Sequence, residues 1–561
     1  MKLSLKKYKN RVGILALFFG TTLLFFSCAK EFGNGETGNG KLKVKVLGVT
    51  DMNDISKSAF TASVQSNAKP SKTNSTENDL IAFDAFDALV TVEKDQIKKS
   101  RVSIGEGVQG VSSGLMAAAV APGVKYRLLL YKEDGTFVSS TALVSGQEGE
   151  VSVTKGFKYN YYAISYNTEE DVVGINTGNA TLAIPEGHDV IHANGSIDIP
   201  LTASDANIPL GIVFKHKFAR IGLELNTMGM FADIQSAGVS VSGLALKTGT
   251  IDLKNGNLSN LQNYTKTLSY SDFTNVNPDY SDAKIAYAYT ADATALSSFT
   301  VSVNALSLTL DNASTRTFGN LATSPSVFTF SNVTPVLGGS FTARVNLIES
   351  PITVAGVKWA RTNVYENGGH NPYRFSHTYA HTNQLNSYFS FKGEKARMYG
   401  NNGDPCALVY PEGVWRQASE LDFRKLVGGR PGGGLLGTNY PAQPFTRGTE
   451  GALNFIEYAG AGLGTPSYPS NRLRFNMNGL GISIGAVLAL ITIDLGSTYG
   501  NSLNVWTSTD VSLLPPLVGI GAWYHDATAA ISPRNVTDLD VSLLNLGLIE
   551  TSFRNVRCVR R

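Results

Sequence analysis

The side chains of this 561-residue chain best suited to covalent or metal chemistry are three cysteines and seven histidines. Cys28 directly follows an apolar run, whereas Cys406 and Cys558 lie far downstream. If Cys28 is modified separately, the other two remain as a pair that an oxidising compartment would bridge. Closing a loop of about 150 residues contributes roughly 5 kcal/mol in the chain-entropy picture, less if the bridge is strained. The alternative is two buried free thiols. No CxxC and no paired Cys/His spacing occurs, which argues against zinc.

His370, His377 and His381 are the densest cluster of nitrogen ligands, and the last two, four apart, would share a helix face. Asn371-Pro372 and the Tyr and Thr around them do not read as helix, so no metal site is expected. His216 lies in an alternating stretch with no second ligand or acid at a compelling spacing. It reads as a strand histidine bonded to a backbone carbonyl. Arg424 to Gly437 is glycine-rich but lacks the P-loop pattern and its preceding strand. The carboxylates show no paired constellation for acid–base work. The expectation is no enzyme, no cofactor and no metal.

The elements that must position Cys406 are legible around it. Asp404-Pro405-Cys406 reads as a turn, since the carboxylate can bond the backbone two residues on and Pro405 presets φ. Trp415 then enters a core. Ser419 caps a short helix running to Val427, with acids in its first turn and Gly428 just past its end. Elsewhere the pattern is repeated alternation, as in an all-β protein. Lysine plus arginine (48) nearly balance aspartate plus glutamate (45), and no dense basic patch appears, so no nucleic-acid partner is expected.

From the start, basic residues precede the apolar run Val12 to Phe26, which is too short to span a bilayer comfortably. Residues 29–40 form a tether. Lys41 to Val49 alternates lysine with apolar residues, a strand with one wet face. Asp51 to Asp79 is a long polar leash. Val124 to Tyr131 and Phe137 to Val144 flank Glu133-Asp134-Gly135, a hairpin. Tyr159, Tyr161, Tyr162 and Tyr166 read as core and cross-strand packing rather than a ligand surface. A second domain opens near Ala203. Its alternation changes phase around Phe218 to Arg220, as a β-bulge would cause, and again between Ala305 and Leu306. Phe341 to Leu347 should close it, and Pro351 marks the passage to the last domain. Leu480 to Leu495 reads as a buried strand pair around Gly485.

Several blocks resemble known families. Ser27-Cys28 after the apolar run resembles a lipoprotein signal with Cys28 as the lipidated residue, although Phe25 stands where leucine is usual. The hairpin at 124–144 and the block Phe214, His216, Ala219, Ile221 resemble strands of the Bacteroidetes fimbrillin superfamily. Val357 to Asn363, Asp404 to Val427 and Val556 to Val559 resemble, in order, the three signature blocks of the Fibrobacter succinogenes major paralogous domain, which is similar to C-type lectins. Extra residues before Trp415 and Gln417-Ala418 in place of Leu-Pro depart from that pattern. Asn504 to Thr509 and Ala522 to Tyr524 resemble two further strands of it.

These resemblances imply a mostly β chain: a signal peptide (1–28), a tether (29–40), two transthyretin-like fimbrillin β-sandwiches (41–202 and 203–350) and an α+β C-type-lectin-like domain (351–561). They imply a fimbrial tip or minor subunit, exported to the outer membrane as a lipoprotein. It would lose Lys41 to Val49 and accept a donor strand from the next subunit. Because the chain stops soon after Cys558, it is expected to accept but not donate. Arg101 is the candidate processing site for an arginine-specific protease, since no arginine occurs between Cys28 and Arg101. Trp506, Trp523, Tyr524 and His525 are candidate ligand-binding residues for a host or bacterial surface glycan or protein. The other reading is a permanently lipid-anchored glycan-binding protein.

Overall fold

The computed structural model describes residues 38–50, 80–82, 86–95, 100–101, 116–201, 208–379, 385–398, 403–433, 435–460, 472–483, 493–494, 498–511, 520–540 and 552–561. Cys28, His381 and most of Leu480 to Leu495, including Gly485, lie outside them. The chain is mostly β throughout, as its alternation requires.

The first body is one seven-stranded sheet. It opens with β1 (Asn39–Thr50); the chain then contributes β2 (Asp87–Lys94) elsewhere. It returns with β3 (Lys125–Lys132), β4 (Phe137–Val144), β5 (Gly149–Thr154), β6 (Lys158–Ser165), β7 (Ile191–Asp198) and β8 (Ile208–His216). The strand order is β4-β3-β6-β7-β8-β1-β5. One face of the sheet feeds a single core, including Leu42, Leu128, Val151, Tyr159, Ile197 and Ile212, with Leu143 of β4 packed against it. Among the described residues no second sheet contributes to that core, so the sheet curls over itself, with its edge strands β4 and β5 joined by residues 145–148. The outer face of β3 and β6, with Leu129, Tyr131, Tyr162 and Ile164, packs on Leu182, Ile251 and Leu253. All four tyrosines from Tyr159 to Tyr166 are buried in these two cores.

The second body is a two-sheet sandwich built from β9 (Ala219–Gly229), β10 (Asp233–Asp252), β11 (Tyr280–Thr290), β12 (Leu296–Thr309), β13 (Ser326–Val333) and β14 (Ser340–Ile348). One sheet runs β11-β9-β14-β2; in the other, β12 lies between β10 and β13. Their inner faces share one core, from Ile221 and Val345 on one side to Val241 and Phe328 on the other.

Three expectations need correction here. The phase change near Phe218 is not a bulge: β8 ends at His216, β9 begins at Ala219, and the two belong to different sheets. A break between strands resets alternation just as a bulge does. Ile208–His216, placed by sequence beyond the boundary at 203, therefore completes the first sheet. Conversely, β2, placed by sequence in the first sandwich, pairs with β14 from Asp87↔Ile348 to Lys94↔Phe341 in the second. β14 is the last strand of the second body in chain order, and it lies between β9 and β2 with eight of its nine residues buried. The second phase change is a true register shift, with Gly238 opposite Ala305 and Val239 opposite Val303.

The third body centres on β15 (Val357–Glu366), β16 (Trp415–Gln417), helix α1 (Glu420–Val427), β17 (Ser502–Val511), β18 (Ile520–Thr528), β19 (Arg534–Asp540) and β20 (Asn555–Arg560). The sheet runs β15-β20-β17-β18-β19, with β16 also on β20. One face packs with Phe423 and Leu426 of α1. The other shares its core with Leu89, Phe231 and Ile348 of the second body.

Candidate functional site

A strand that could be exchanged must be bounded by strands that can remain without it. β1 runs parallel to β8, from Leu42↔Ile208 to Thr50↔Lys215, and antiparallel to β5, from Asn39↔Thr154 to Val44↔Gly149. Leu42 and Val44 are fully buried and Val49 nearly so. Each fully buried side chain of this kind contributes roughly 1.5–3 kcal/mol. On the wet face, the Lys41 ammonium lies 3.0 Å from Glu150, and Lys43 pairs with both Glu148 and Glu150. These pairs are solvent-exposed and individually weak, yet together they hold the Glu150 carboxyl down at about 2, with the Lys43 hydrogen bond as the largest cause. The register on β8 shifts between Val46 and Gly48. At Gly48 φ is +153°, and a Cβ there would lie 2.7 Å from the Ala118 carbonyl oxygen. Glycine is therefore required where β1 crosses that segment.

Arg101 lies in the short strand Ser100–Arg101, whose backbone pairs with Met116–Ala117. A cut there would sever both β1 and β2 from the rest of the chain. β2 carries Ala88 into the sandwich core and Leu89 into the core beneath β16 and β20, and the adjoining Phe86 is fully buried.

Cys406 and Cys558 are joined by a disulfide, with Cα atoms 5.6 Å apart. Asp404 accepts from the amides of Cys406 at 2.9 Å and Gln417 at 3.0 Å, fixing the turn that presents Cys406 to β20. α1 is capped by Ser419, whose hydroxyl accepts from the Asp422 amide while the Asp422 carboxylate accepts from the Ser419 amide. Gly428 follows at φ +81°.

The four residues expected to bind a ligand do not form one surface. Trp506 and Tyr524 are register partners on one face of the sheet; Val505 and His525 are partners on the other. Trp506 is fully buried and donates from its indole nitrogen to the Phe389 carbonyl at 3.1 Å. His525 is fully buried and stacked on Phe423 at 4.6 Å; burial pushes its imidazole down to about 4. Both are core residues, which corrects that expectation. Tyr524 and Trp523 are half-buried beneath the guanidinium groups of Arg554 and Arg424 respectively.

The histidines are likewise dispersed. His216 faces Asp189 at 3.0 Å, a carboxylate where the sequence pointed to a carbonyl. His370 lies 3.1 Å from Asp282 and stacks on Tyr280, while His377 contacts the Met230 carbonyl at 3.1 Å. Among the described residues no group of three or more His, Cys, Asp or Glu is placed to hold a metal. Sequence reasoning missed the contacts of the third body with Asp282, Asp311 and Met230. Nothing local marks them, because each partner is more than 50 positions away.

No protein-family model matches the chain, and no curated protein matches it. Among solved structures, a candidate cell adhesion protein of Bacteroides fragilis aligns at 12% identity and TM-score 0.30, covering 56% of this chain and 93% of its own. A fimbrial assembly protein of Parabacteroides distasonis aligns at 13% identity and TM-score 0.21, covering 39% and 82%. The fimbrial anchor protein Mfa2 of Porphyromonas gingivalis aligns at 13% and 0.20, covering 33% and 71%.

Proposed function

We propose that this chain is a non-enzymatic fimbrial subunit, of tip or minor type. It loses β1, accepts a donor strand in its place, and presents its lectin-like C-terminal body for adhesion. The observation that carries the reading is the placement of β1 between β8 and β5. Without β1, β8 remains paired to β7; β5 remains tied to β4 through residues 145–148 and to the core through Val151 and Val153. The vacated slot spans two strand spacings, about 9.5 Å. It offers backbone groups on both sides and side-chain sockets at the period-2 positions of Leu42, Val44 and Val46. Export as a lipoprotein through Cys28, with outer-membrane attachment before processing, belongs to the same reading. The end position is supported by β20: every one of its residues is buried, it is paired along both edges, and the disulfide ties it down. Such a strand is not available for donation.

The alternative, a permanently lipid-anchored glycan-binding protein, is favoured by the complete burial of Leu42 and Val44. A locked strand separates the two. Val44 and Leu210 are register partners on adjacent strands, so Val44→Cys with Leu210→Cys can bridge them. The oxidised double variant should fail to join fimbriae and regain incorporation on reduction. Incorporation of the oxidised form at the wild-type level would establish that β1 stays in place.

A further inference from the structure

Trp506 and His525 lie in the core, out of a ligand's reach. The junction of the second and third bodies holds a cavity of about 350 Å³ lined by Asp311, Asn312, Tyr365, Asn367, His377 and Thr378, among others. That volume is at the small end of ligand sites, which favour such junctions. Asp311, Asn312, Asn367 and Thr378 are solvent-exposed at its rim, while Tyr365 and His377 are buried in its floor.

The walls are fixed before any ligand arrives. Asp311 accepts from the Tyr365 hydroxyl at 2.7 Å, and its other oxygen lies 2.9 Å from the Arg374 guanidinium. Arg374 also donates to the Phe231 carbonyl at 2.9 Å, so the third body is bonded to the second at both Asp311 and Phe231. Asn312 is held by its own turn, where its side-chain oxygen accepts from the Ser314 amide and hydroxyl. The backbone amide of Asn367 donates to the Pro372 carbonyl at 2.7 Å.

Charge decides what class of molecule suits these walls. The one carboxylate is already matched by Arg374. Burial favours the neutral imidazole at His377, against the opposing pull of Glu349. The other exposed groups at the rim are the side chains of Asn312, Asn367 and Thr378, able to donate and accept but without an unmatched charge. A charged ligand would lose water here without gaining a counter-ion. A compact neutral polyol would exchange each water hydrogen bond for one from the wall.

We propose that this cavity is a binding site for a neutral saccharide of one to two residues. It does not depend on strand exchange, because no lining residue belongs to the first body.

The test titrates the full mature chain with neutral methyl hexosides and their disaccharides, alongside a sialylated and a sulfated sugar. Saturable binding of at least one neutral sugar is expected, with Asn367→Ala weakening it about tenfold or more and Thr378→Trp abolishing it. Both positions are exposed, so both variants should keep the wild-type melting temperature. A variant that melts early is replaced by Asn312→Ala, read the same way. Absence of saturable binding for every neutral sugar overturns the site. Tighter binding of the acidic sugars overturns its ligand class, and undiminished binding by the variants overturns its location.

Discussion

Arg560 donates from Nη2 to a carboxylate oxygen of Asp87 at 2.9 Å, across 473 positions of sequence, and the same nitrogen bonds the Glu349 carbonyl at 2.7 Å. The guanidinium also lies 3.8 Å from the centre of the Trp415 ring. One contact thus joins β2, the end of β14 and the last strand of the third body. Although Arg560 is its partner, burial pushes the Asp87 carboxyl upward, outweighing the pull of the guanidinium. Such a pair is expensive to break and not strongly favourable to form. Asp87→Asn should therefore cost about 3–5 kcal/mol in urea unfolding, whereas Asp87→Leu combined with Arg560→Met should cost far less than the two single changes added. Additive losses would place the two residues in independent environments.

The cap of α1 gives a smaller and cleaner effect. Ser419→Ala removes the hydroxyl that accepts from the Asp422 amide and should lower stability by about 1 kcal/mol, with Ser419→Thr, which keeps the hydroxyl, close to wild type. An unchanged urea midpoint for Ser419→Ala would show that the buried Phe423 and Leu426 alone hold the helix.

What was legible follows from which signals are local. The capped helix, the turn at Asp404 and the hairpin at Glu133 to Gly135 are each specified within a few residues. The role of Asp87–Lys94 was not legible, because its partner strand lies some 250 positions away and short apolar alternation carries no address. Nor could sequence tell that Trp506 and His525 face opposite cores. Neighbouring strand residues alternate sides, and here both sides of the sheet are covered, one by α1 and one by the second body.

The wet face of β1 gives a pH dependence whose sign is fixed. The Glu150 carboxyl falls from its ordinary 4.5 to about 2 on folding, through Lys43 and Lys41. Its contribution is fully present above 4.5 and is lost as pH falls toward 2. The urea midpoint of the wild type should drop over that window more than that of Glu150→Gln, and the difference should shrink at high salt. Parallel acid profiles would remove these pairs from the account of how β1 is held.

The disulfide closes a separation of 152 residues. Cys558→Ser should cost about 4–5 kcal/mol, and the full protein should show one linked peptide pair under non-reducing mass analysis. Both thiols alkylating freely without reductant would contradict the bridge.

Arg101 bears on processing through β2. A cut at Arg101 alone should leave residues 80–95 bound to the second sandwich under native conditions and release them only in denaturant, since Phe86, Ala88 and Leu89 are buried in its cores. Loss of that peptide in native buffer, with the sandwich intact, would contradict the assignment of β2.

The intact mass of the subunit recovered from assembled fimbriae tests the central claim most directly. Strand exchange predicts a chain that lacks Asn39–Thr50 and retains Asp87–Lys94, whether covalently or as a clipped, bound peptide. An assembled subunit that still carries Asn39–Thr50 would contradict it.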